Sequence, residues 1–305
     1  MTKTVGIVGA RGYTGSELLR ILHRHPEVEV VWAGSREKAG EPVDDYPGLT
    51  FSDTDPEFVA ANPVDVVFLA LPDGASASFL GVIPDETVVI DISADHRWDT
   101  DWAYGLPELF RDRIAGSRRI ANPGCYATVM QLALAPLIDE AEGAPVVFGV
   151  SGYSGAGTTP GPRNDPDRLA NNLLPYRLSG HNHEREATAH LGRPVRFMPH
   201  VHPTFRGLLV TANVPMSGPV TVDEVRERME KAYASEPLVE ITDDTPELAD
   251  GTNLLGVLLG GFTVSEDGRS VVIVGAEDNL LKGAAVQAVQ NMNLALGLDE
   301  LTGIL

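Results

Sequence analysis

The N-terminal segment joins an apolar, β-branched run to a glycine-rich turn, and this junction constrains the fold more than any other feature. Residues 4–8 are typical of a buried strand, and residues 18–22 carry leucine and isoleucine at helical spacing. Between them, Gly9, Gly12 and Gly15 occupy every third position. Glycines in a turn between a strand and a helix let the backbone approach a pyrophosphate at the helix N-terminus. The segment therefore predicts a dinucleotide-binding turn, and a plain tight turn is the alternative.

Strand-like runs continue along the first part of the chain, at residues 28–32, 64–70 and 88–92, with helical spans between them. Strands that alternate with helices are typical of parallel β-α-β units. We therefore expect residues 1–124 to form a doubly wound α/β domain of the Rossmann type.

The pattern changes after residue 124. A helical pattern covers residues 125–137, and strand-like segments then dominate as far as residue 274, with one clear helix at 222–232. A strand-rich stretch of this kind favours a mixed or antiparallel sheet. Residues 125–276 are therefore predicted to form a second, α+β domain, which is followed by a long final helix at residues 279–296.

The end of the second predicted strand carries Ser35 and Arg36. Dinucleotide-binding domains that take NAD usually have an acidic residue there, which binds the ribose 2′-hydroxyl. A hydroxyl and a guanidinium suit a 2′-phosphate instead, so NADP is favoured over NAD. A solvated surface arginine is the alternative, since Glu37 adjoins it.

Cys125 is the single cysteine of the chain, and it directly follows Asn122-Pro123-Gly124 at the predicted start of a helix. Helix N-terminal amides and the helix dipole stabilise a thiolate, and amides of the same turn can bind an oxyanion. We therefore predict a nucleophilic cysteine; the alternative is a buried structural one. A nucleophile of this kind needs an acid/base partner, and His181 and His183 stand together before another helical stretch.

Composition excludes several classes of protein and ligand. A net charge of −20 disfavours nucleic acid and anionic membranes as partners, because both are anionic. The apolar runs are too short to span a bilayer, and the first residues lack the apolar region of a signal peptide, so a cytoplasmic protein is expected. No spacing of a known zinc motif accompanies His200 and His202, so no metal site is predicted.

Several longer motifs resemble those of the N-acetyl-gamma-glutamyl-phosphate reductase family of arginine biosynthesis, and they occur in family order over nearly the whole chain. They are Gly-Ala-Arg-Gly-Tyr-Thr-Gly at 9–15, Ala-Leu-Pro at 70–72, Asp-Ile-Ser-Ala-Asp at 91–95, Tyr-Gly-Leu-Pro-Glu at 104–108, Asn-Pro-Gly-Cys-Tyr-Ala-Thr at 122–128, Ser-Gly-Ala-Gly at 154–157, His-Asn-His-Glu-Arg-Glu at 181–186 and Asp-Asn-Leu-Leu-Lys-Gly-Ala-Ala at 278–285. The resemblance implies an NADP-binding Rossmann domain, an α+β catalytic and dimerisation domain, and a C-terminal helix (277–305) that returns to the first domain. It also implies an acyl-phosphate substrate and a homodimer or homotetramer.

The resemblance further assigns roles to individual residues. Cys125 would attack the acyl phosphate and form a thioester, which NADPH reduces to the aldehyde. His183 is favoured over His181 as the acid/base, and Asn122 and the Cys125 amide are candidates for the oxyanion site. The expected cofactor-binding residues are Gly9, Arg11, Gly12, Tyr13, Thr14, Gly15, Ser35, Arg36, Leu71, Pro72, Ser93, Ser154, Gly155 and Asn279. The expected substrate-binding residues are Arg97, Ser154, Gly157, Arg185 and Arg206, with amides of the 154–157 turn also expected to hold the departing phosphate.

Two departures from the common family pattern are Asp73, where many members carry histidine, and Glu184-Arg185, where many carry Thr-Pro. Three alternatives remain open at this point. They are a reductase of glutamyl or aminoadipyl phosphate carried on a small acidic protein, an aspartate-semialdehyde dehydrogenase, and a non-catalytic NADP-binding sensor.

Overall fold

The computed structural model describes residues 2–305, which divide into two compact units. The first unit contains the residues up to Pro123 together with Ala284–Leu305, and the second contains Gly124–Gly283. In chain order the strands are β1 (Lys3–Val8), β2 (Val28–Gly34), β3 (Phe51–Ser52), β4 (Val66–Leu69), β5 (Val88–Asp91), β6 (Ala103–Tyr104), β7 (Arg119–Ala121), β8 (Val146–Gly152), β9 (Leu174–Pro175), β10 (Arg196–His202), β11 (Leu208–Pro215), β12 (Val239–Ile241), β13 (Val257–Val264) and β14 (Ser270–Glu277). The α-helices are α1 (Tyr13–His23), α2 (Pro56–Ala61), α3 (Ala77–Leu80), α4 (Pro107–Ile114), α5 (Cys125–Leu134), α6 (Pro166–Leu169), α7 (Asn182–Leu191), α8 (Val222–Tyr233) and α9 (Val286–Leu296).

The first unit is built on a parallel sheet in the order β3-β2-β1-β4-β5-β7-β6. Its central strands are continuous apolar runs because helices cover both faces of such a sheet, and every residue of β4 is buried. The prediction of a doubly wound Rossmann-type sheet is confirmed.

The C-terminal helix α9 belongs to this first unit, where it packs against α1, α4 and β5. Asn291 of α9 is buried, and its side-chain amide donates to the Gly105 carbonyl and to the Asn122 side chain, both at 2.9 Å. The expected return of this helix to the first domain is confirmed.

The predicted start of this last helix at residue 279 is wrong. The Asp278 side chain accepts from the amides of Leu280 and Leu281, and a π-helical turn covers Leu281–Ala285 before α9 begins. Residues 277–283 belong to the second unit, where Asp278 also bonds to Arg206 and Asn253, whereas the sequence analysis assigned them to the first.

The second unit contains a mixed sheet in the order β12-β13-β14-β11-β8-β10-β9. The β8/β10 and β12/β13 pairs are parallel and the other pairs are antiparallel, as expected for a mixed sheet. Side chains on β8 alternate between buried and accessible positions, because α5 packs on one face of the neighbouring strands β11 and β14. Val146 and Phe148 on β8 remain exposed.

Within residues 2–305, no helix is both long and apolar enough to cross a membrane. In the same part of the chain, no three His, Cys, Asp or Glu side chains are grouped so that they could hold a metal ion.

Candidate active site

Cys125 is the first residue of α5, and its side chain is partly accessible. Gly124 caps the helix in an extended conformation, and the rest of α5 is buried. A helix leaves its first amides without intrahelical acceptors, so positive partial charge collects where the thiol lies. The structure thus places the predicted nucleophile at a helix N-terminus.

Glu186 fixes the turn that precedes the cysteine. This residue is fully buried on α7, and its carboxylate accepts a hydrogen bond from the Gly124 amide at 2.9 Å. The interaction ties α7, the helix that carries the histidine pair, directly to the residue before Cys125. A buried carboxylate is retained only where such bonds compensate its desolvation.

The two histidines of the pair lie at the N-terminus of α7. His181 caps the helix, and its Nδ1 accepts a hydrogen bond from the His183 amide at 3.1 Å. Because Nδ1 accepts, the neutral ring carries its proton on Nε2. His181 is buried and His183 is half-buried, and their ring centroids lie 4.8 Å apart.

Two tyrosines, Tyr126 and Tyr176, lie near Cys125 and the histidine pair. Burial raises the pKa of Tyr126 well above its ordinary value, and the Tyr126 hydroxyl donates to the His200 carbonyl at 2.8 Å. Burial, together with the charge on Cys125, raises the pKa of Tyr176 to about 12. The Tyr176 ring lies 5.5 Å from that of His181. Both phenols therefore stay neutral at physiological pH beside the thiol.

Gly283 leaves room for the nucleophile. A Cβ atom on this residue would lie 2.7 Å from the Cβ of Cys125 and 2.7 Å from Oε1 of the buried Glu277, so no larger side chain fits without displacing one of them. The motif at 278–285 therefore contributes steric space to the site.

The glycine turn in the first unit has the form needed to hold a dinucleotide. Gly9 has a φ of +81°, and a Cβ on it would lie 2.2 Å from the Ala70 carbonyl oxygen. A Cβ on Gly15 would lie 2.6 Å from Cα of Ala10. A Cβ on Gly12, which caps α1, would meet no protein atom closer than 3.5 Å, so this glycine leaves open space at the helix N-terminus. These residues fit a bound pyrophosphate.

The other predicted cofactor residues of the first unit follow the carboxyl ends of neighbouring parallel strands, where ligands of such sheets bind. Tyr13 and Thr14 open α1, Ser35 and Arg36 follow β2, Leu71 and Pro72 follow β4, and Ser93 follows β5.

The cationic groups near the glycine turn differ in their partners. Ser35 is buried, and Arg36 is exposed and makes no ion pair with any carboxylate of residues 2–305. Arg11 instead forms a two-point ion pair with Glu37, at 2.7 and 3.1 Å.

Arg97 and Asn122 support the chain of the first unit. The buried Arg97 guanidinium donates to the carbonyls of Asn122 and Ile92, each at 2.9 Å. Asn122 is also fully buried; its side chain donates to the Ala284 carbonyl and accepts from Asn291. Both side chains therefore hold the backbone that leads to Cys125, and their predicted contacts with substrate and oxyanion stay predictions.

The turn at residues 154–157, which was predicted to bind phosphate, is stabilised by hydrogen bonds to other protein groups. The Ser154 amide donates to the Phe205 carbonyl and the Gly157 amide to the Ser154 carbonyl, both at 3.0 Å, so these two amides are engaged by the protein. Gly155 is exposed between them. Asn279, predicted to bind cofactor, donates to the Ser154 hydroxyl and accepts from the Gly207 amide.

The remaining predicted substrate arginines differ in exposure. Arg206 pairs with the fully buried Asp278 at 2.7 Å, which neutralises its charge within the second unit. Arg185 is exposed on α7.

Sequence reasoning missed Glu186, Tyr176, Gly283 and Arg163, whose guanidinium carbon lies 4.9 Å from the centre of the Tyr176 ring. Only Glu186 and Gly283 lay inside motifs already singled out. No local sequence pattern distinguishes Tyr176 and Arg163, because their positions depend on how the long loop between residues 157 and 180 folds.

Two family models match most of the chain. The semialdehyde dehydrogenase NAD-binding domain matches residues 4–117, and the semialdehyde dehydrogenase dimerisation domain matches residues 125–279.

Curated relatives match over nearly the full length. The N-acetyl-gamma-glutamyl-phosphate reductase of Xanthomonas axonopodis pv. citri is 52% identical over 99% of this chain and 98% of its own. The protein of the same name from Xylella fastidiosa is 51% identical over 99% of this chain and 95% of its own.

Solved structures share the fold at low sequence identity. Aspartate semialdehyde dehydrogenase II from Vibrio cholerae superposes with a TM-score of 0.81 at 21% identity, covering 97% of this chain and 99% of that one. The aspartate semialdehyde dehydrogenase from Candida albicans, solved with NADP, gives 0.73 at 18% identity with the same coverage.

Proposed function

The chain belongs to the N-acetyl-gamma-glutamyl-phosphate reductases of the semialdehyde dehydrogenase family, and from this premise we propose that it reduces that acyl phosphate with Cys125 as the nucleophile. The enzyme is an NADP-dependent reductase of arginine biosynthesis that releases phosphate and forms N-acetyl-L-glutamate 5-semialdehyde. The observation that carries the assignment of the nucleophile is the position of Cys125 at the N-terminus of α5, with the preceding turn held by Glu186.

In the first step, the sulfur of Cys125 attacks the carbonyl carbon of the acyl phosphate. The C–O bond to phosphate then breaks, phosphate leaves with the electron pair, and a thioester to Cys125 remains. The amide of Cys125 lies at the helix start, where an amide can stabilise the negative charge that develops on the carbonyl oxygen. Glu186 holds the Gly124 amide, so the preceding turn keeps its shape during this step.

In the second step, His181 supplies a hydrogen-bond donor. When bound, NADPH would supply the hydride that reduces the thioester carbonyl. Nε2 of His181 carries a proton in the neutral ring, because Nδ1 accepts from the His183 amide, and it donates a hydrogen bond to the negatively charged oxygen of the tetrahedral adduct on Cys125. Collapse of this adduct breaks its C–S bond and releases the aldehyde and the Cys125 thiolate, which is ready for the next substrate. The defined tautomer favours His181, whereas the sequence analysis favoured His183.

Among the predicted cofactor residues, those of the first unit would hold the phosphate groups. The turn from Gly9 to Gly15 accommodates the pyrophosphate at the start of α1, and Ser35 and Arg36 bind the 2′-phosphate. Arg36 suits this role because no carboxylate of residues 2–305 pairs with it.

The chain forms an oligomer through its dimerisation domain, and we infer a homodimer that pairs the accessible face of the second sheet. Exposed Val146 and Phe148 on this face support the inference, because large apolar side chains on one strand mark interaction surfaces. The thiol of Cys125 must stay reduced to act, which favours a cytoplasmic location.

The decisive experiment compares wild-type enzyme with Cys125→Ser in the reverse reaction, the phosphate-dependent oxidation of N-acetylglutamate 5-semialdehyde with NADP. A serine hydroxyl is a far weaker nucleophile than a thiolate, so we expect a loss of kcat of at least about a thousandfold. Fluorescence titration with NADPH should give an unchanged Kd, which shows that the fold is intact. Substantial residual turnover in the variant would exclude the thioester route.

A further inference from the structure

The loop between residues 157 and 180 is built around fixed turns. The Asn164 side chain donates to the carbonyls of Gly157 and Thr159, at 2.9 and 2.8 Å, and accepts from the Gly161 amide at 2.7 Å. Further along, β9 pairs with β10 and brings Tyr176 next to His181. The loop therefore holds Arg163, the neighbour of Asn164, in a defined place.

Arg163 lies against the ring of Tyr176. Its guanidinium carbon is 4.9 Å from the centre of that ring, and against the larger effect of burial its positive charge lowers the pKa of the Tyr176 hydroxyl. Tyr176 in turn lies close enough to Cys125 to feel its charge. Arg163 and His181 are therefore both neighbours of the Tyr176 ring.

The charge of Arg163 is available to a ligand. Although the chain contains 43 acidic residues, no carboxylate among residues 2–305 pairs with Arg163, and the side chain is exposed. Arg206 differs in this respect, because Asp278 already neutralises it. A guanidinium that a tyrosine orients and no acid neutralises is suited to a carboxylate or a phosphate.

We propose that Arg163 binds the α-carboxylate of the N-acetylglutamyl substrate and so selects for a substrate that carries this group. The proposal rests on the proposed function. The substrate has two anionic groups, and its phosphate is bonded to the carbonyl that Cys125 attacks. The carboxylate lies at the other end of the glutamyl chain, so a cation that contacts the Tyr176 ring and does not contact the thiol suits the carboxylate.

The test measures the reverse reaction with wild-type enzyme, Arg163→Ala, Arg163→Lys and the control Arg168→Ala, which alters an exposed arginine of the same loop. Removing one charge-assisted, two-point contact should raise KM for N-acetylglutamate 5-semialdehyde by about 10- to 100-fold in Arg163→Ala. KM for phosphate should change by less than about twofold. Arg163→Lys, which keeps the charge and loses the planar fork, should give an intermediate KM.

A second substrate isolates the carboxylate. For 4-acetamidobutanal, the same aldehyde without its carboxylate, kcat/KM should be equal in wild type and Arg163→Ala. Equal KM values for the semialdehyde in both enzymes, or a rise confined to KM for phosphate, would overturn the proposal and assign Arg163 elsewhere. If wild-type enzyme fails to oxidise the semialdehyde at all, the proposed function itself is wrong. Unchanged thermal unfolding of Arg163→Ala controls for folding.

Discussion

The position of the Cys125 thiol depends on the few groups that hold the turn ending at Gly124. In this chain the most important of them is Glu186, because its buried carboxylate accepts the Gly124 amide while its helix carries His181. The proposed nucleophile and the proposed hydrogen-bond donor His181 are thus connected through one hydrogen bond, and we expect a change at Glu186 to act on the positions of both.

Glu186→Ala should lower both activity and stability. The substitution leaves the buried Gly124 amide without its acceptor, which costs about 1–3 kcal/mol in the free energy of unfolding. Displacement of the Cys125 turn should lower kcat by about 10- to 100-fold. Glu186→Gln, which keeps an acceptor oxygen, should lose less of both. Urea unfolding measures the loss of stability, and the rate of Cys125 alkylation by iodoacetamide reports on the displacement of the thiol. Wild-type values of both in Glu186→Ala would show that the bond between Glu186 and the Gly124 amide is dispensable.

At this scale the sequence reveals residues whose local pattern carries the chemistry. Cys125 was predictable because Asn-Pro-Gly directly precedes it at a helix start. Arg163 was not, because its approach to Tyr176 depends on the Asn164 turn and on the pairing of β9 with β10. The difference is between a contact along the chain and one that the tertiary structure creates.

Among the elements, the unit of β1, its glycine turn and α1 is the most demanding sterically. The turn brings α1 so close to Ala10 that only glycine fits at position 15. Periodicity predicted this unit and most strands correctly, since their side chains follow the burial pattern. The start of α9 was mispredicted because the Asp278 side chain, rather than a backbone pattern, shapes the turn before it.

Gly15→Ala should weaken cofactor binding and leave the cysteine chemistry in place. Its Cβ would lie 2.6 Å from Cα of Ala10, so α1 must shift away from β1, at a cost of about 1–3 kcal/mol. In the proposed function the start of α1 holds the pyrophosphate, so we expect Kd for NADPH to rise at least about tenfold by fluorescence titration. Alkylation of Cys125 should keep its rate. Gly81→Ala is the matched control, since its Cβ would meet nothing within 4 Å; an equal Kd in both variants would argue against the role of the turn.

Over the whole molecule, charge and apolar surface serve different purposes. The net charge of −20 describes the exterior, whereas substrate and cofactor are anions that need cations kept apart from carboxylates. We propose Arg36 and Arg163 for this purpose, because neither is paired with an acid among residues 2–305. The composition could not identify these two arginines, since it gives the number of charged residues and not their ion pairs.

The accessible face of the second sheet could not be predicted from the sequence either, because it depends on which side of that sheet the helices cover.

Phe148→Asp should separate the subunits. Phe148 is 38% exposed on β8, and in the inferred homodimer its ring would be covered by the partner. An aspartate buried there without a partner costs about 3 kcal/mol or more, which weakens association at least a hundredfold. Light scattering after size exclusion should then give the monomer mass of 32.6 kDa. Val31→Asp, at an equally exposed position of the first unit (42%), should keep the oligomer. An oligomer that survives Phe148→Asp would place the interface elsewhere.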